Sequence, residues 1–194
     1  MNETIELLSA RRAVAPRLLA EPAPSEAEVD KLLTIASRVP DHGRLVPWRF
    51  IVIEHEGAER IGEVIAAAFV ADNPDADADR IATERGRLAR APLVVAVVSR
   101  ARPHAKIPEA EQMFSAGAAC MNLVLAANAM GYATNWLTEW YAYDRRVLAE
   151  LGVEADETIA GFIHIGTPTE ASTERPRPKL DEIVTRYPRE AGEA

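Results

Sequence analysis

Cysteine is almost absent from this sequence: the 194 residues contain one, Cys120. An intrachain disulfide needs two, so disulfide scaffolds are excluded and a reducing compartment fits. Basic runs are also scarce, since none is longer than Arg11-Arg12 and the formal net charge is -8. An acidic chain disfavours non-specific binding to nucleic acid or to anionic membrane. We therefore predict neither kind of partner.

Signal-like and membrane-spanning segments are lacking as well. The N-terminal stretch Met1-Asn2-Glu3-Thr4 is acidic and lacks an apolar signal core, so we expect a cytoplasmic location. Residues 112–138 carry no charge and are numerous enough to cross a membrane. However, Asn122 and Asn128 lie inside this stretch and Gly131 interrupts it. We therefore predict a central helix that is buried on nearly all sides.

Common catalytic motifs are missing too. No G-x-G-x-x-G follows a strand, no G-x-S-x-G is present, and Gly161 and Gly166 have P-loop spacing without the following lysine. The four histidines form no i, i+4 pair, which gives a zinc site little support. Cys120 lies in an apolar helical stretch and is expected to be a small, inert core residue.

Hydrophobic periodicity predicts helices and four strands around one sheet. The predicted strands cover residues 48–54, 92–98, 132–137 and 159–166, and the predicted helices cover 4–10, 25–39, 58–71, 79–90, 109–130 and 144–151. The sequence also predicts an extended, proline-containing arm at 13–24 and a proline-rich tail at 167–188. Segments of this kind have little to pack against in a monomer, and wrapping around a partner subunit would explain both. No long linker or repeat divides the chain, so we expect residues 1–194 to form a single domain.

Arginines gather at predicted chain breaks, and a planar guanidinium suits phosphate. The turn at 38–50 is stiffened by Pro40 and Pro47. It is either a solvated connection or a ligand-facing loop. Likewise, each arginine is either a solvated surface residue or part of an anion pocket. The arginines in question are Arg11, Arg12, Arg38, Arg44, Arg175 and Arg177.

Seven short segments, spread over almost the whole chain, form an ordered set that is more specific than any of them alone. They are Arg11-Arg12, Arg38-Val39-Pro40-Asp41-His42, Pro47-Trp48-Arg49-Phe50, residues 111–117, residues 126–132, Trp136 and residues 161–168. The ordered set resembles the FMN-dependent nitroreductase family, and it is most similar to a short branch of NAD(P)H nitroreductases. This resemblance implies an α+β fold with a mainly antiparallel central sheet flanked by helices. It also implies a long buried central helix and a homodimer in which extended termini wrap the partner subunit.

The same resemblance implies FMN at each of two interfacial sites. NADH or NADPH would reduce the flavin, and an electron-poor small molecule such as a nitroaromatic or quinone would then take the electrons in a ping-pong reaction. No catalytic side chain is required, because the flavin carries the chemistry. The cofactor-binding residues carried over by position are Arg11, Arg12, Ala13, Arg38, His42, Trp136, Leu137, Thr138, Arg175 and Arg177. The segment similar to nicotinamide-contacting segments is Ala126, Ala127, Asn128, Ala129, Met130 and Gly131.

Two positions depart from the family pattern. Ala13 stands where members usually have serine, and Leu137 stands where the short branch often has arginine. Arg175 or Arg177 could supply the missing cation, and Arg38 and His42 could come from either subunit. Other flavin chemistry, such as that of a dehydrogenase, flavin-cleaving enzyme or dehalogenase, remains an alternative. So does a flavin-binding protein without turnover. No ribose-reading residue was found to separate NADH from NADPH.

Overall fold

The computed structural model describes residues 2–187. Its helices are α1 Glu3–Ala10, α2 Glu26–Ala36, α3 His55–Asp72, α4 Ala78–Arg85, α5 Glu109–Ala129, α6 Arg145–Glu150 and α7 Leu180–Ile183. Its strands are β1 Leu19–Ala20, β2 Trp48–Ile53, β3 Leu93–Ser99, β4 Ala133–Leu137 and β5 Thr158–Pro168. The predicted helix at 79–90 is shorter than expected, because Gly86 caps its C-terminus.

The sheet has five strands and all of its pairings are antiparallel. The order is β1-β5-β3-β2, and β4 also pairs with β5. Every residue of β3 is buried, as its continuous run of apolar residues predicted. The prediction of four strands was wrong: Leu19 and Ala20 of the N-terminal arm pair with the end of β5. A two-residue strand is too short to produce a periodic signal.

Helices cover both faces of the sheet, because successive side chains of β3 point to opposite sides. Leu93, Val95 and Val97 pack in one core cluster with α2 and α5. Val94, Ala96 and Val98 pack in the other cluster with α3 and α6. The α+β layering expected from the sequence is therefore observed. Gly131, with φ of 91°, follows the C-cap of α5, as predicted.

The central helix α5 is buried on one face only, which corrects the expectation of burial on nearly all sides. Cys120 on the inner face is fully buried, and burial raises the pKa of its thiol to about 12, consistent with an inert core residue. On the outer face Phe114 is 74% exposed and Met113 is 56% exposed. A helix whose sequence is uncharged and rich in small residues can be buried within its own chain or can expose an apolar face. The sequence pattern does not distinguish these two cases. Among residues 2–187, no helix has both the length and the apolar character needed to span a membrane.

Candidate functional site

Strand β4 holds the segment that follows α1. The N–H of Val14 donates to the carbonyl of Thr134 at 3.0 Å, and the Asn135 side chain donates to the carbonyl of Val14 at 2.8 Å. Ala13 and Thr134 form a parallel bridge. These contacts bring Arg11, Arg12 and Ala13 close to the strand that carries Trp136 and Leu137.

A cleft of about 280 Å³ opens where α1, the end of α5 and the beginning of the tail meet. Its wall includes Arg11, Arg12, Asn128, Tyr132 and Glu170. The Asn128 side chain donates to Thr134 Oγ1 at 2.9 Å, which ties the end of α5 to β4. Arginines predicted to bind an anion therefore line a concave surface.

The tail contacts the cleft residue Arg12 through Glu174, an acidic residue that sequence reasoning missed. Arg12 Nε donates to Glu174 Oε2 at 2.6 Å, and its Nη2 bonds to the same oxygen. Arg177 Nε lies 3.8 Å from Glu174 Oε1. The hydrogen bond from Arg12 lowers the pKa of Glu174. The structure thus brings Arg12 and Arg177 to one carboxylate, whereas the exposed Arg175 contributes its backbone N–H to that carboxylate.

Trp136 leans across the sheet instead of entering the core. Its Nε1 donates to the carbonyl of Ala160 at 3.1 Å, and the side chain remains 39% exposed. A Cβ on Gly161 would lie 2.1 Å from Trp136 Nε1, so only glycine allows this packing. Leu137 is half-buried and Thr138 is exposed at the end of β4.

A charged network, also missed from the sequence, fixes the chain just after Thr138. Glu139 accepts hydrogen bonds from Arg87 at 2.9 Å and from the Tyr141 hydroxyl at 2.8 Å. Fully buried Glu84 accepts two from Arg87. The Arg87 guanidinium keeps the pKa of Glu84 below its ordinary value despite desolvation. Buried charges need such paired partners, and here they anchor the end of the β4 segment.

Polar side chains of α5 hold the turn at 38–47. Ser115 Oγ donates to the carbonyl of Pro40 at 2.6 Å and accepts from Trp48 Nε1 at 3.1 Å. His42 Nδ1 lies 2.7 Å from Glu111 Oε2, and both side chains are exposed. Ser115 lies in the uncharged stretch that was predicted to be buried helix. Its hydrogen bonds to the turn are visible only in the folded structure.

The same turn has an unusual backbone. Gly43, Arg44 and Val46 all have positive φ, at 72°, 53° and 47°. For a β-branched residue such as valine this conformation is strained. The Asp41 carboxylate compensates by accepting the N–H groups of Leu45 and Val46 at 2.9 and 3.0 Å. The turn is therefore a shaped structure and not a loose connection.

His42 and the Arg12 cleft lie at opposite ends of α5. His42 contacts Glu111 in the first turn of the helix, whereas Asn128 of the cleft lies 17 positions later. At 1.5 Å per residue, this separation is about 25 Å. The backbone carbonyl of Arg38 lies between them, 3.4 Å from Asn122 Nδ2. One chain therefore does not place His42 beside Arg12.

The predicted nicotinamide segment is only partly accessible. Ala126 and Ala127 are 5% and 0% exposed and belong to the core, so their side chains do not face a ligand. Asn128 lines the cleft. Ala129 and Gly131 are exposed, and Met130 is half-buried.

Residues 8–167, which carry the arginine pair, the shaped turn and β4, match the model of the Nitroreductase family. The chain belongs to the nitroreductase family. A nitroreductase of Escherichia coli (strain K12), named "Putative NAD(P)H nitroreductase YdjA", is 36% identical over 188 residues, covering 95% of this chain and 100% of that protein. A relative from Haemophilus influenzae, "Putative NAD(P)H nitroreductase", is 31% identical over 166 residues, with 85% and 88% covered.

Solved structures share the nitroreductase fold. A nitroreductase-like family protein from Bacillus cereus superposes with a TM-score of 0.84 at 21% identity, covering 97% of both chains. A "putative nitroreductase in complex with fmn" from Desulfovibrio desulfuricans superposes with a TM-score of 0.73 at 24% identity, covering 97% of this chain and 98% of that one. The predicted nitroreductase-like α+β fold is confirmed, and membership of this family makes the chain an oxidoreductase.

Proposed function

We propose that this nitroreductase is a cytoplasmic, FMN-dependent NAD(P)H oxidoreductase in which residues 1–194 form one FMN-binding domain. Its acceptors would be electron-poor small molecules such as nitroaromatics or quinones. The observation that carries the proposal is the cleft lined by Arg11 and Arg12 beside β4. The name of the Escherichia coli relative and the FMN in the Desulfovibrio structure support it.

The donor set at the cleft fits the phosphate of FMN. Arg12 uses both Nε and Nη2 to bind a carboxylate oxygen of Glu174, and the same planar fork suits phosphate oxygens. Arg177 lies within 3.8 Å of that carboxylate and would add the second charge. We assign it the role of the cation missing at Leu137.

The remaining residues would position the isoalloxazine ring. Arg11 and the backbone of Ala13 would face its pyrimidine side, where negative charge develops on reduction. Trp136, Leu137 and Thr138 would form the opposite wall, held by the Glu139 network and by packing on Gly161. FMN, when bound, accepts hydride from NAD(P)H and passes electrons to the acceptor. Of the candidate nicotinamide segment, Asn128 is the residue whose position in the cleft favours contact with a ligand.

A second copy of the chain would complete the site. The cleft of about 280 Å³ is at the lower limit of the roughly 300–1,000 Å³ common for small-molecule sites. The exposed Phe114 and Met121 on the outer face of α5 are typical of an interface. In a two-fold dimer packed through α5, the two helices would run antiparallel. The start of one α5 would then lie beside the end of the other, and His42 of the second copy would lie next to the Arg12 cleft, although about 25 Å separates the two sites within one chain.

Absorbance and reduction test this function directly. The purified protein, after incubation with FMN, should be yellow and should bleach anaerobically when NADH or NADPH is added. A protein that takes up no FMN would refute the proposal. A yellow protein that neither nucleotide reduces would favour flavin binding without turnover. Sedimentation that detects only monomer in the FMN-bound sample would overturn the interfacial site.

A further inference from the structure

A second cleft, of about 60 Å³, lies beside the strained turn and is lined by basic side chains. Arg100, Arg102 and His104 face it from the loop after β3, opposite Val46 and Pro47. Lys106 follows in the same loop, and residues 99–108 contain no carboxylate. In a chain with net charge -8, this local excess of positive charge points to an anionic ligand.

Hydrogen bonds hold the loop that carries these side chains. Gln112 is 3% exposed; its side chain accepts from the N–H of Arg102 at 3.2 Å and donates to the carbonyl of Arg102 at 2.8 Å. His104 Nδ1 accepts from the N–H groups of Lys106 and Ile107 at 3.2 and 3.1 Å. Since Nδ1 is an acceptor, the ring carries its proton on Nε2. These hydrogen bonds therefore fix the loop backbone and the His104 ring.

The nearby carboxylates bind groups other than Arg102 and His104. Asp41 is occupied by backbone N–H groups, and Glu111 binds His42. Arg100 lies 3.5 Å from Glu157, which also binds Arg49. Within residues 2–187 the Arg102 guanidinium has no hydrogen bond or ion pair. Its charge is therefore available to a ligand.

The cleft adjoins the turn that carries His42, a residue that we assign to the flavin site. Pro47 and Gln112 line both this cleft and a small pocket that contains His42. If the proposed function is correct, a dinucleotide that places its nicotinamide at the flavin would have this anion-binding cleft beside the same turn, within reach of its phosphates. NADPH differs from NADH by a ribose phosphate, which arginine commonly recognises. Resting on that function, we propose that Arg102 and His104 bind this phosphate and make the enzyme select NADPH.

Steady-state kinetics of Arg102→Ala test the proposal. Wild-type protein should show a higher kcat/KM with NADPH than with NADH. Arg102→Ala should raise the KM for NADPH about tenfold, the size expected for loss of one charge-assisted contact, and should change the KM for NADH less than about twofold. Arg102→Lys should restore part of the preference. The exposed Arg60 on α3 supplies the control, since Arg60→Ala removes the same charge elsewhere and should leave both constants unchanged.

Each alternative outcome is decisive. Equal kcat/KM for both nucleotides in the wild type, or equal effects of Arg102→Ala on both, would overturn this inference and leave the flavin function intact. A change confined to the KM of an anionic acceptor such as nitrobenzoate would also overturn it. Failure of the wild type to bind FMN or to be reduced by either nucleotide would instead be a failure of the proposed function.

Discussion

Glu174 accepts a hydrogen bond from Arg12 Nε at 2.6 Å, although 162 positions separate the two residues in the sequence. Arg177 lies near the other oxygen of the same carboxylate. The arginine proposed to bind the FMN phosphate is therefore paired with an anion of its own chain. Phosphate and Glu174 would compete for one guanidinium.

Removing the Glu174 charge should strengthen FMN binding. We expect Glu174→Gln to lower the Kd for FMN about two- to fivefold, the range that a partly exposed ion pair supports. Quenching of flavin fluorescence on titration measures this Kd. Glu170→Gln is the matched control, because Glu170 lines the same cleft and has no ion pair with Arg12. A weaker affinity for Glu174→Gln alone would mean that this carboxylate supports the site and does not compete.

The tail cation at 177 should matter more than the one at 175. Arg177 shares the carboxylate of Glu174 with Arg12, whereas the Arg175 side chain is exposed and contributes only its backbone N–H there. Arg177→Ala should therefore weaken FMN binding about tenfold, as for loss of one charged contact to phosphate, and Arg175→Ala should have little effect. Calorimetric titration distinguishes the two variants. Unchanged affinity in Arg177→Ala would rule out its role as the replacement cation.

The outer face of α5 should control assembly. A Cβ added to Gly117 meets nothing within 4 Å in the single chain. Gly117→Leu should therefore fold, since leucine also has a higher helix propensity than glycine. At a two-fold helix interface the same side chain would separate the subunits. We expect sedimentation to show a shift toward monomer, together with loss of FMN.

A leucine added on the other side of the sheet provides the comparison. Glu59 is exposed on α3, which packs against the opposite face of β3 from α5. Glu59→Leu should leave the dimer and its FMN content unchanged. If Gly117→Leu is also an intact, FMN-loaded dimer, the interface does not lie on this face of α5.

His164 should make stability depend on pH. It is fully buried in β5. Burial, reinforced by the nearby Arg90 charge, lowers its pKa from 6.5 to about 4. Between these values the unfolded chain binds a proton that the folded chain excludes. The free energy of unfolding should therefore decrease as pH falls from about 6.5 to about 4, by up to about 3 kcal/mol in all.

Urea unfolding at pH 7.5 and pH 5 measures this effect. His164→Leu lacks the titrating group and should show a smaller loss of stability over the same interval. Carboxylates such as Glu139 titrate in both proteins, so the difference between the two pH dependences is the informative quantity. The same pH dependence in both proteins would contradict the assignment to His164.

Local pattern was sufficient for most of the secondary structure. The continuous apolar run of β3 predicted a strand buried on both faces, and the Ser25–Glu28 capping box marked the start of α2, where the Ser25 N–H donates to the Glu28 carboxylate at 2.9 Å. These signals depend on neighbours within a few residues. The two-residue β1 was missed because its pairing depends on the distant end of β5.

The sequence by itself indicated the family, the order of helices and most strands, and the arginines that we propose hold a phosphate. Only the tertiary structure decided which side chains meet. Glu174 binds Arg12, whereas His42 lies about 25 Å along α5 from the Arg12 cleft. It also showed that Gln112 clamps the Arg102 loop. Helical and strand periods record which face of an element is apolar, but distances between remote side chains are set by how those faces pack.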